Sequence, residues 1–237
     1  MHFIRSIIFN TIFYPVTAVG LLLGAPLRFC PKKYVFVFWK YLSLVLNFIS
    51  TKIGGIAFQL EGKHDPLGPP AIYAMRHESV WETLMLTHLF REPVFVLKKE
   101  LLSLPLFGAL ANRTDPVAVD RDNGMRALME AAEKVKKSVE EGHPVVIFPE
   151  GTRTSAGKYV PLKRGIALFY RLTNCPVIPV IHNSGSFWPR RGFMKKPGKI
   201  RVIFMEAIAP GLSKEEFMDR LNQAFRRGVE EIKSPQG

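Results

Sequence analysis

An uncharged stretch near the amino terminus constrains the fold more than any other feature of this sequence. No Asp or Glu precedes Glu61, and residues 6–27 carry no charged side chain at all. As a helix these 22 residues would measure about 33 Å at about 1.5 Å per residue, enough to cross a hydrocarbon core of about 30 Å. We therefore expect this segment to lie in lipid.

A second apolar stretch covers residues 34–51 and is interrupted only by Lys40. It is rich in Tyr, Phe and Trp, whose amphipathic rings favour the headgroup level of a bilayer. With prolines at positions 26 and 31 between them, the two stretches predict a membrane-anchoring helical hairpin over residues 1–54, which either spans the bilayer or dips into one leaflet. Under the positive-inside bias, the basic turn between the stretches predicts a membrane protein with its active site on the cytoplasmic face, at the inner membrane in a bacterium.

Two other interpretations of this leader stay open. A cleaved secretory signal usually has an apolar region of about 7 to 15 residues, which is shorter than the one here. A helix buried in the core of a soluble domain is also compatible, because Asn10, Pro15, Gly20 and Gly24 dilute the hydrophobicity.

The composition changes after Gly55 to that of an α/β domain, which we expect to cover residues 55–237. Runs rich in β-branched residues recur at 71–75, 93–97, 116–119, 144–148, 176–181 and 200–204. Helical patterns lie between and after them, at residues 124–141 with an apolar stripe that includes Met125 and Met129, and at 214–233. Strands that alternate with helices are typical of an α/β fold, so we predict a largely parallel sheet flanked by helices.

The charge and the cysteines limit the classes of function. A formal net charge of +13 indicates an anionic partner, which is nucleic acid, a phospholipid surface or a phosphorylated substrate. A nucleic-acid binder would have no use for the apolar leader, so we expect no nucleic acid. Cys30 and Cys175 form no zinc or disulfide pattern, and the histidines at 64, 143 and 182 have no partners at metal-ligand spacing, so we predict no metal site.

A histidine and a carboxylate follow the first predicted strand of this domain. His77 and Glu82 are five residues apart, which separates them by about 140° on a regular helix, so a continuous helix would keep them apart. The spacing therefore predicts that His77 precedes a helix that Ser79 begins, with Glu82 at the third position of a capping box. Neutral histidine is suited to remove a proton from an alcohol at neutral pH. The alternative is purely structural, with Glu82 only capping the helix.

A carboxylate, a glycine, a hydroxyl and a guanidinium follow the strand predicted at 144–148, in the consecutive residues Glu150, Gly151, Thr152 and Arg153. Glycine allows backbone N–H groups to approach an oxyanion, and a guanidinium grips phosphate with two parallel hydrogen bonds. Arg121 follows another predicted strand, and the carboxyl ends of parallel strands meet at one edge of a sheet. These residues predict a phosphate-binding site, against the alternative of a surface turn with a weak Arg–Glu pair.

Together these motifs resemble, in order and spacing, the PlsC-type glycerolipid acyltransferases, over about residues 70–210. The matching segments are 76–82, 98–108, 119–121, 148–153, 161–165 and 176–180. The family usually has aspartate where this chain has Glu82. Glutamate has one more rotatable side-chain bond, and packing must fix its conformation.

The resemblance implies transfer of a fatty acyl chain from acyl-CoA or acyl carrier protein to the sn-2 hydroxyl of 1-acylglycerol-3-phosphate (lysophosphatidic acid), giving phosphatidic acid. No cofactor is implied, and the partners are the acceptor, the donor and membrane phospholipid. His77 and Glu82 would be catalytic, and the substrate would be bound by Lys98, Arg121, Glu150, Gly151, Thr152 and Arg153. Glu150 would bond the acceptor or fix Arg153.

The sequence leaves three alternatives. Two of them are enzymes with another acceptor, either glycerol-3-phosphate or a lyso-lipid without phosphorus. The third is a protein that binds anionic lipid without catalysis. The basic and aromatic segment at 187–201 either contacts anionic lipid or donor phosphates, or is a solvated loop.

Overall fold

A computed structural model describes residues 2–62, 70–120 and 124–233, apart from the side chains of residues 86 and 87. The helices are α1 His2–Gly24, α2 Lys32–Lys52, α3 Trp81–Leu89, α4 Phe107–Ala111, α5 Gly124–Glu140, α6 Gly165–Thr173, α7 Ser184–Phe187 and α8 Lys214–Glu231. The strands are β1 Ile56–Gly62, β2 Ile72–Met75, β3 Val94–Lys98, β4 Val117–Val119, β5 Val145–Ile147, β6 Val177–His182 and β7 Gly198–Phe204.

The strands form a seven-stranded sheet in the order β1-β7-β6-β2-β5-β3-β4. β2 lies at its centre, where Ile72 pairs with Val145 on one side and Val177 on the other. Among the strand pairs in the described ranges, only β6–β7 is antiparallel, so five strands run one way and β1 and β7 run the other. The prediction of a largely parallel sheet flanked by helices is confirmed.

Five parallel strands end at one edge of this sheet, and that arrangement gathers the polar motifs. His77 follows β2, Glu150 follows β5, and Lys98 is the last residue of β3. The predicted strands all appear within about two residues of their predicted bounds. β1 was missed because it is a sheet-edge strand, paired with β7 on one side, and buries little beyond Ile56, so it lacks a continuous apolar run.

The two predicted helices of the α/β domain also appear, but one stripe differs. α5 buries Ala127, Ala131, Ala132 and Val135, whereas Met125 and Met129 of the predicted stripe are exposed. The small alanines allow α5 to approach the sheet closely, so the buried face turns away from the longer methionines.

Two apolar cores lie on opposite sides of the sheet. One packs α5, α6 and α8 on the sheet, and the other packs α1, α2 and α3 on the opposite side. Phe9 and Phe13 of α1 belong to the second core, where their ring centroids lie 5.1 Å and 4.9 Å from that of Trp188. The amino-terminal helices are thus docked on the domain.

α1 and α2 form an antiparallel pair. A Cβ at Gly20 would lie 2.6 Å from Leu42, and one at Gly24 would lie 2.4 Å from the Phe38 ring, so both glycines permit close helix contact. Both helices are long and apolar enough to cross a membrane by length and composition. Their outward side chains are largely apolar, with Leu23 of α1 77% exposed, and Phe29 in the connection between the helices is 78% exposed.

Candidate active site

His77 lies on the turn between β2 and α3, where the five-residue spacing requires it. β2 ends at Met75 and α3 begins at Trp81, so His77 precedes the helix. Its Nδ1 lies 2.8 Å from Oε1 of Glu82. The structure therefore brings together the two residues predicted to be catalytic.

The Glu82 carboxylate serves the helix and the imidazole at once. Oε1 also accepts the backbone N–H groups of Glu78 and Ser79, at 2.8 Å and 2.7 Å, which is half of the expected capping box. The other half differs, because the Ser79 hydroxyl accepts the N–H of Trp81 instead of that of Glu82. Capping and contact with His77 share one oxygen and do not compete.

This carboxylate is buried, yet it stays ionised. Burial would raise the pKa of Glu82, but the His182 and His77 rings and the Ser79 N–H outweigh it, and the pKa lies below its usual value. The ionised carboxylate accepts the Nδ1–H of His77, which fixes the tautomer with Nε2 as the free base.

The other ring nitrogen of His77 is available to a substrate. The imidazole stacks on Phe148, with ring centroids 4.2 Å apart and an interplanar angle of 26°. Among the residues that the structure describes, none bonds Nε2, and His77 lines a large cavity. The Phe148 ring thus contacts one face of the imidazole and Glu82 contacts its Nδ1, which leaves Nε2 for proton transfer.

Glu150 lies beneath the His77 turn and is not among the residues that line the cavity. Its Oε2 accepts the backbone N–H of His77 at 2.6 Å, and its Oε1 lies 3.2 Å from the Thr154 hydroxyl. Burial raises the pKa of Glu150 to about 7, although the His77 N–H and the positive charge of Arg76 act in the opposite direction. The strand-end turn directs this carboxylate inward, towards the His77 backbone, and contact of Glu150 with the acceptor or Arg153 stays a prediction.

A buried ion pair completes the support of the turn. Nε of Arg76 donates to Oε1 of Glu78 at 2.6 Å, and both side chains are 1% exposed. Glu78 also accepts the N–H groups of Gly157 and Gly185, at 3.2 Å and 2.9 Å. Two segments distant in sequence, the loop at Gly157 and helix α7, are therefore joined to the turn through one carboxylate.

Sequence reasoning missed Arg76, Glu78, His182 and Ser184 as parts of the site. Nε2 of His182 lies 2.7 Å from the carbonyl oxygen of Arg76, and the Ser184 hydroxyl donates to Oε2 of Glu82 at 2.9 Å. The available signal was the pair of opposite charges at 76 and 78 directly after a fully buried strand.

The cavity beside His77 has a volume of about 1130 Å³. Its polar part includes four of the predicted substrate-binding residues, Lys98, Gly151, Thr152 and Arg153, together with Lys163. Its apolar walls come from the hairpin, α3 and β3, through Leu21, Trp39, Leu42, Leu46, Leu84 and Phe95. A charged group and a long apolar chain therefore fit the same cavity.

The predicted phosphate-binding residues differ in their surroundings. Lys98 pairs with Glu100 at 2.6 Å, and both side chains are about half exposed, at 47% and 57%. Gly151 has a φ of +73°, as its turn requires, and its N–H donates to the Phe148 carbonyl at 2.9 Å. Arg121 lies outside the described residues.

The basic segment at 187–201 docks on α1 and is not a solvated loop throughout. Lys195 is 2% exposed, its backbone N–H donates to the Ser6 hydroxyl at 2.9 Å, and its Nζ donates to the Gly192 carbonyl at 2.7 Å. Arg190 and Arg191 remain exposed and line the cavity.

Comparison with known proteins places these features in context. The family model described as Acyltransferase matches residues 57–183. A 1-acyl-sn-glycerol-3-phosphate acyltransferase of Pseudomonas aeruginosa is 31% identical over 207 residues, which cover 87% of this chain and 80% of the relative. The human 1-acyl-sn-glycerol-3-phosphate acyltransferase beta is 28% identical over 174 residues, 70% of this chain and 63% of the relative.

A solved structure has the same fold over its full length. The crystal structure of the 1-acyl-sn-glycerophosphate (LPA) acyltransferase PlsC from Thermotoga maritima aligns with a TM-score of 0.76 and 24% identity, and covers 100% of both chains.

Proposed function

The chain belongs to the acyltransferase family, and we propose that it transfers a fatty acyl chain from acyl-CoA or acyl carrier protein to the sn-2 hydroxyl of 1-acylglycerol-3-phosphate, giving phosphatidic acid. The observation that carries this proposal is the His77–Glu82 pair, 2.8 Å apart, with His77 lining a cavity that Arg153 also lines. The donor thioester is a substrate, and the reaction needs no cofactor.

The dyad performs the proton transfers of this reaction. Nε2 of His77 removes the proton of the sn-2 hydroxyl as its oxygen bonds to the thioester carbon, and the ionised Glu82 stabilises the imidazolium that forms. When the tetrahedral intermediate collapses, the carbon–sulfur bond breaks and His77 returns the proton to the thiolate. The acyl group is transferred directly to the acceptor, so no nucleophilic side chain of the protein is required.

Basic residues that line the cavity hold the acceptor phosphate. Arg153 is the principal ligand because a guanidinium binds phosphate in a bidentate manner, and Lys98 and Lys163 add positive charge. Arg121 stays a predicted ligand of the same phosphate. The apolar walls of the cavity accommodate acyl chains.

The amino-terminal hairpin, residues 1–54, anchors the α/β domain of residues 55–237 at the membrane. Its exposed apolar side chains fit lipid, and Leu21, Trp39 and Leu42 of the hairpin also line the cavity. A lysolipid in the bilayer thus reaches His77 without crossing water. The basic residues Arg28, between the helices, and Lys33, at the start of α2, support the cytoplasmic face as the site of the reaction.

Acyl transfer is tested with the purified protein in detergent, labelled lysophosphatidic acid and, separately, acyl-CoA and acyl carrier protein donors. We expect the wild type to form phosphatidic acid, and His77→Ala to lower kcat by about 10²- to 10⁴-fold because a general base contributes about that factor. Binding to anionic lipid vesicles should not change.

His143→Ala is the matched control, because His143 precedes β5 at the opposite edge of the sheet. Full turnover by His77→Ala would exclude this catalytic assignment. Vesicle binding by a wild type without turnover on either donor would instead favour a non-catalytic lipid-binding protein. The ratio of the two donor rates identifies the donor.

The acceptor is tested with Arg153→Ala. We expect kcat/KM to fall about 10- to 100-fold for lysophosphatidic acid, since a hydrogen-bonded charge contributes about 1.5–3 kcal/mol, and to change little for monoacylglycerol. An equal loss on both acceptors would contradict phosphate recognition by Arg153.

A further inference from the structure

A buried hydroxyl lies behind the His77–Glu82 pair. Ser184 begins α7 and follows β6, outside the motifs recognised in the sequence and one residue beyond the family match. It is 0% exposed, and its hydroxyl donates to Oε2 of Glu82 at 2.9 Å. Ser184 is not among the residues that line the cavity, so its effect on a substrate must pass through Glu82.

The two oxygens of Glu82 are held from different directions. Oε1 lies on Nδ1 of His77 and accepts two backbone N–H groups of the turn. Within the described ranges, Ser184 is the donor to Oε2. A carboxylate held at both oxygens cannot rotate about its last bond without losing a charge-assisted hydrogen bond.

The hydrogen bond from Ser184 restricts the additional conformational freedom of the Glu82 side chain. Glutamate has one more rotatable bond than the aspartate usual in the family, so its carboxylate has more positions to lose when it is fixed on His77. The contact with Ser184 removes that freedom from the far side of the carboxylate.

Ser184 is itself rigidly placed. Its backbone N–H lies 3.4 Å from Nδ1 of His182, and its carbonyl accepts the N–H of Trp188 at 2.8 Å. The next residue, Gly185, donates to Glu78 at 2.9 Å, and a Cβ there would lie 3.0 Å from the Glu78 side chain. The same network that supports the His77 turn therefore positions the hydroxyl.

We propose that Ser184 is a positioning residue for the acyl transfer, whose hydroxyl keeps the Glu82 carboxylate in the orientation that holds the His77 imidazole. This inference rests on the proposed function. Ser184 contacts neither substrate, and it acts on the rate of chemistry and not on substrate binding.

The test compares kcat and KM for Ser184→Ala and Ser184→Cys with the wild type. We expect Ser184→Ala to lower kcat about 10- to 100-fold, the range for loss of a hydrogen bond to a charged group, with KM for acceptor and donor changed less than about twofold. Ser184→Cys keeps nearly the same volume but donates weakly, so it should lose kcat in the same direction while it folds normally. Ser186→Ala is the matched control, because Ser186 is exposed on the same short helix.

A double-mutant cycle separates positioning from a purely structural role. In a Glu82→Ala background, Ser184→Ala should cause no further loss of kcat, because the carboxylate through which it acts is gone. An equal loss with and without Glu82, or a wild-type kcat in Ser184→Cys, would overturn the inference. Absence of acyl transfer by the wild type would instead refute the proposed function.

Discussion

The hairpin of α1 and α2 exposes apolar side chains, whereas the turn at residues 76–79 buries charged ones. Leu23 and Phe29 are 77% and 78% exposed, while Arg76 and Glu78 are each 1% exposed. Either arrangement would destabilise a soluble protein without compensation, since exposed apolar surface requires a cover and a buried charge requires a partner.

In the proposed membrane-bound state, lipid covers the exposed apolar side chains of the hairpin. The buried charges of the turn have their partners within the protein. The hairpin buries Ser6, Ser43 and Ser50, with the Ser43 hydroxyl donating to the Leu84 carbonyl, and exposes apolar side chains that would fit lipid. In the turn, three successive backbone N–H groups, those of residues 77, 78 and 79, donate to the buried carboxylates of Glu150 and Glu82. If the hairpin is the proposed membrane anchor, its apolar face is covered by lipid, whereas the turn that carries His77 is preorganised by the protein itself.

The largest effect should follow from making the outer face of the hairpin polar. Leu22, Leu23 and Phe29 are 57%, 77% and 78% exposed. Because burial of such a side chain contributes about 1.5–3 kcal/mol, changing all three to Gln should weaken partition into vesicles by at least about 10³-fold. Vesicle co-sedimentation measures the partition.

The matched control for the hairpin variant is Met125→Gln, which changes a 70% exposed apolar residue on α5. It should leave partition unchanged. An equal loss of partition in the control would mean that the lipid-facing surface is not confined to the hairpin. Unchanged partition of the triple variant would refute the proposal that the hairpin anchors the protein in the membrane.

The next effect should come from breaking the buried ion pair of the turn. Arg76→Met leaves the Glu78 carboxylate buried without its cation, so the free energy of unfolding should fall by about 3–5 kcal/mol. Urea denaturation in detergent measures the loss, and a second substitution, Glu78→Leu, should recover part of it.

An exposed ion pair gives the contrast with Arg76. Arg126 and Glu130 lie 3.0 Å apart with side chains 88% and 63% exposed, so Arg126→Met should cost less than about 1 kcal/mol. Equal losses in Arg76→Met and Arg126→Met would show that burial of the turn contributes nothing to its stability.

The sequence predicted the features that depend on local spacing. His77 and Glu82 are close in the chain, so a helix start between them was enough to predict their contact. The alternation of β-branched runs with helical stripes likewise predicted the parallel sheet and the edge at which His77 and Glu150 meet.

The rest of the site depends on long-range packing that no local pattern encodes. Glu82 and Ser184 are 102 residues apart, and Glu78 and Gly185 are 107 apart. Arg76 and Glu78 look like surface charges in sequence, because burial of an ion pair is decided by loops that arrive from elsewhere. The contact between Glu150 and the His77 backbone likewise joins residues that are 73 positions apart, so it could be found only in three dimensions.

The smallest expected effect is a pH dependence of the unfolding free energy that comes from Glu150 in the turn. The hairpin should make no such contribution. Burial raises the pKa of Glu150 from 4.5 to about 7, so between these values the folded protein binds a proton that the unfolded chain releases. The stability that this proton contributes is complete below about pH 4.5 and is lost as the pH rises through about 7.

Glu150→Gln mimics the protonated carboxyl at every pH and should remove this dependence. Between pH 5 and 8, the unfolding free energy of the wild type should fall relative to that of the variant by up to about 3 kcal/mol, at about 1.36 kcal/mol per pH unit between the two pKa values. Urea denaturation in detergent at several pH values measures the two slopes, and Glu133→Gln on the exposed face of α5 should keep the wild-type slope. If Glu150→Gln also keeps that slope, the carboxyl is ionised throughout this range, and the turn is held by two permanent negative charges.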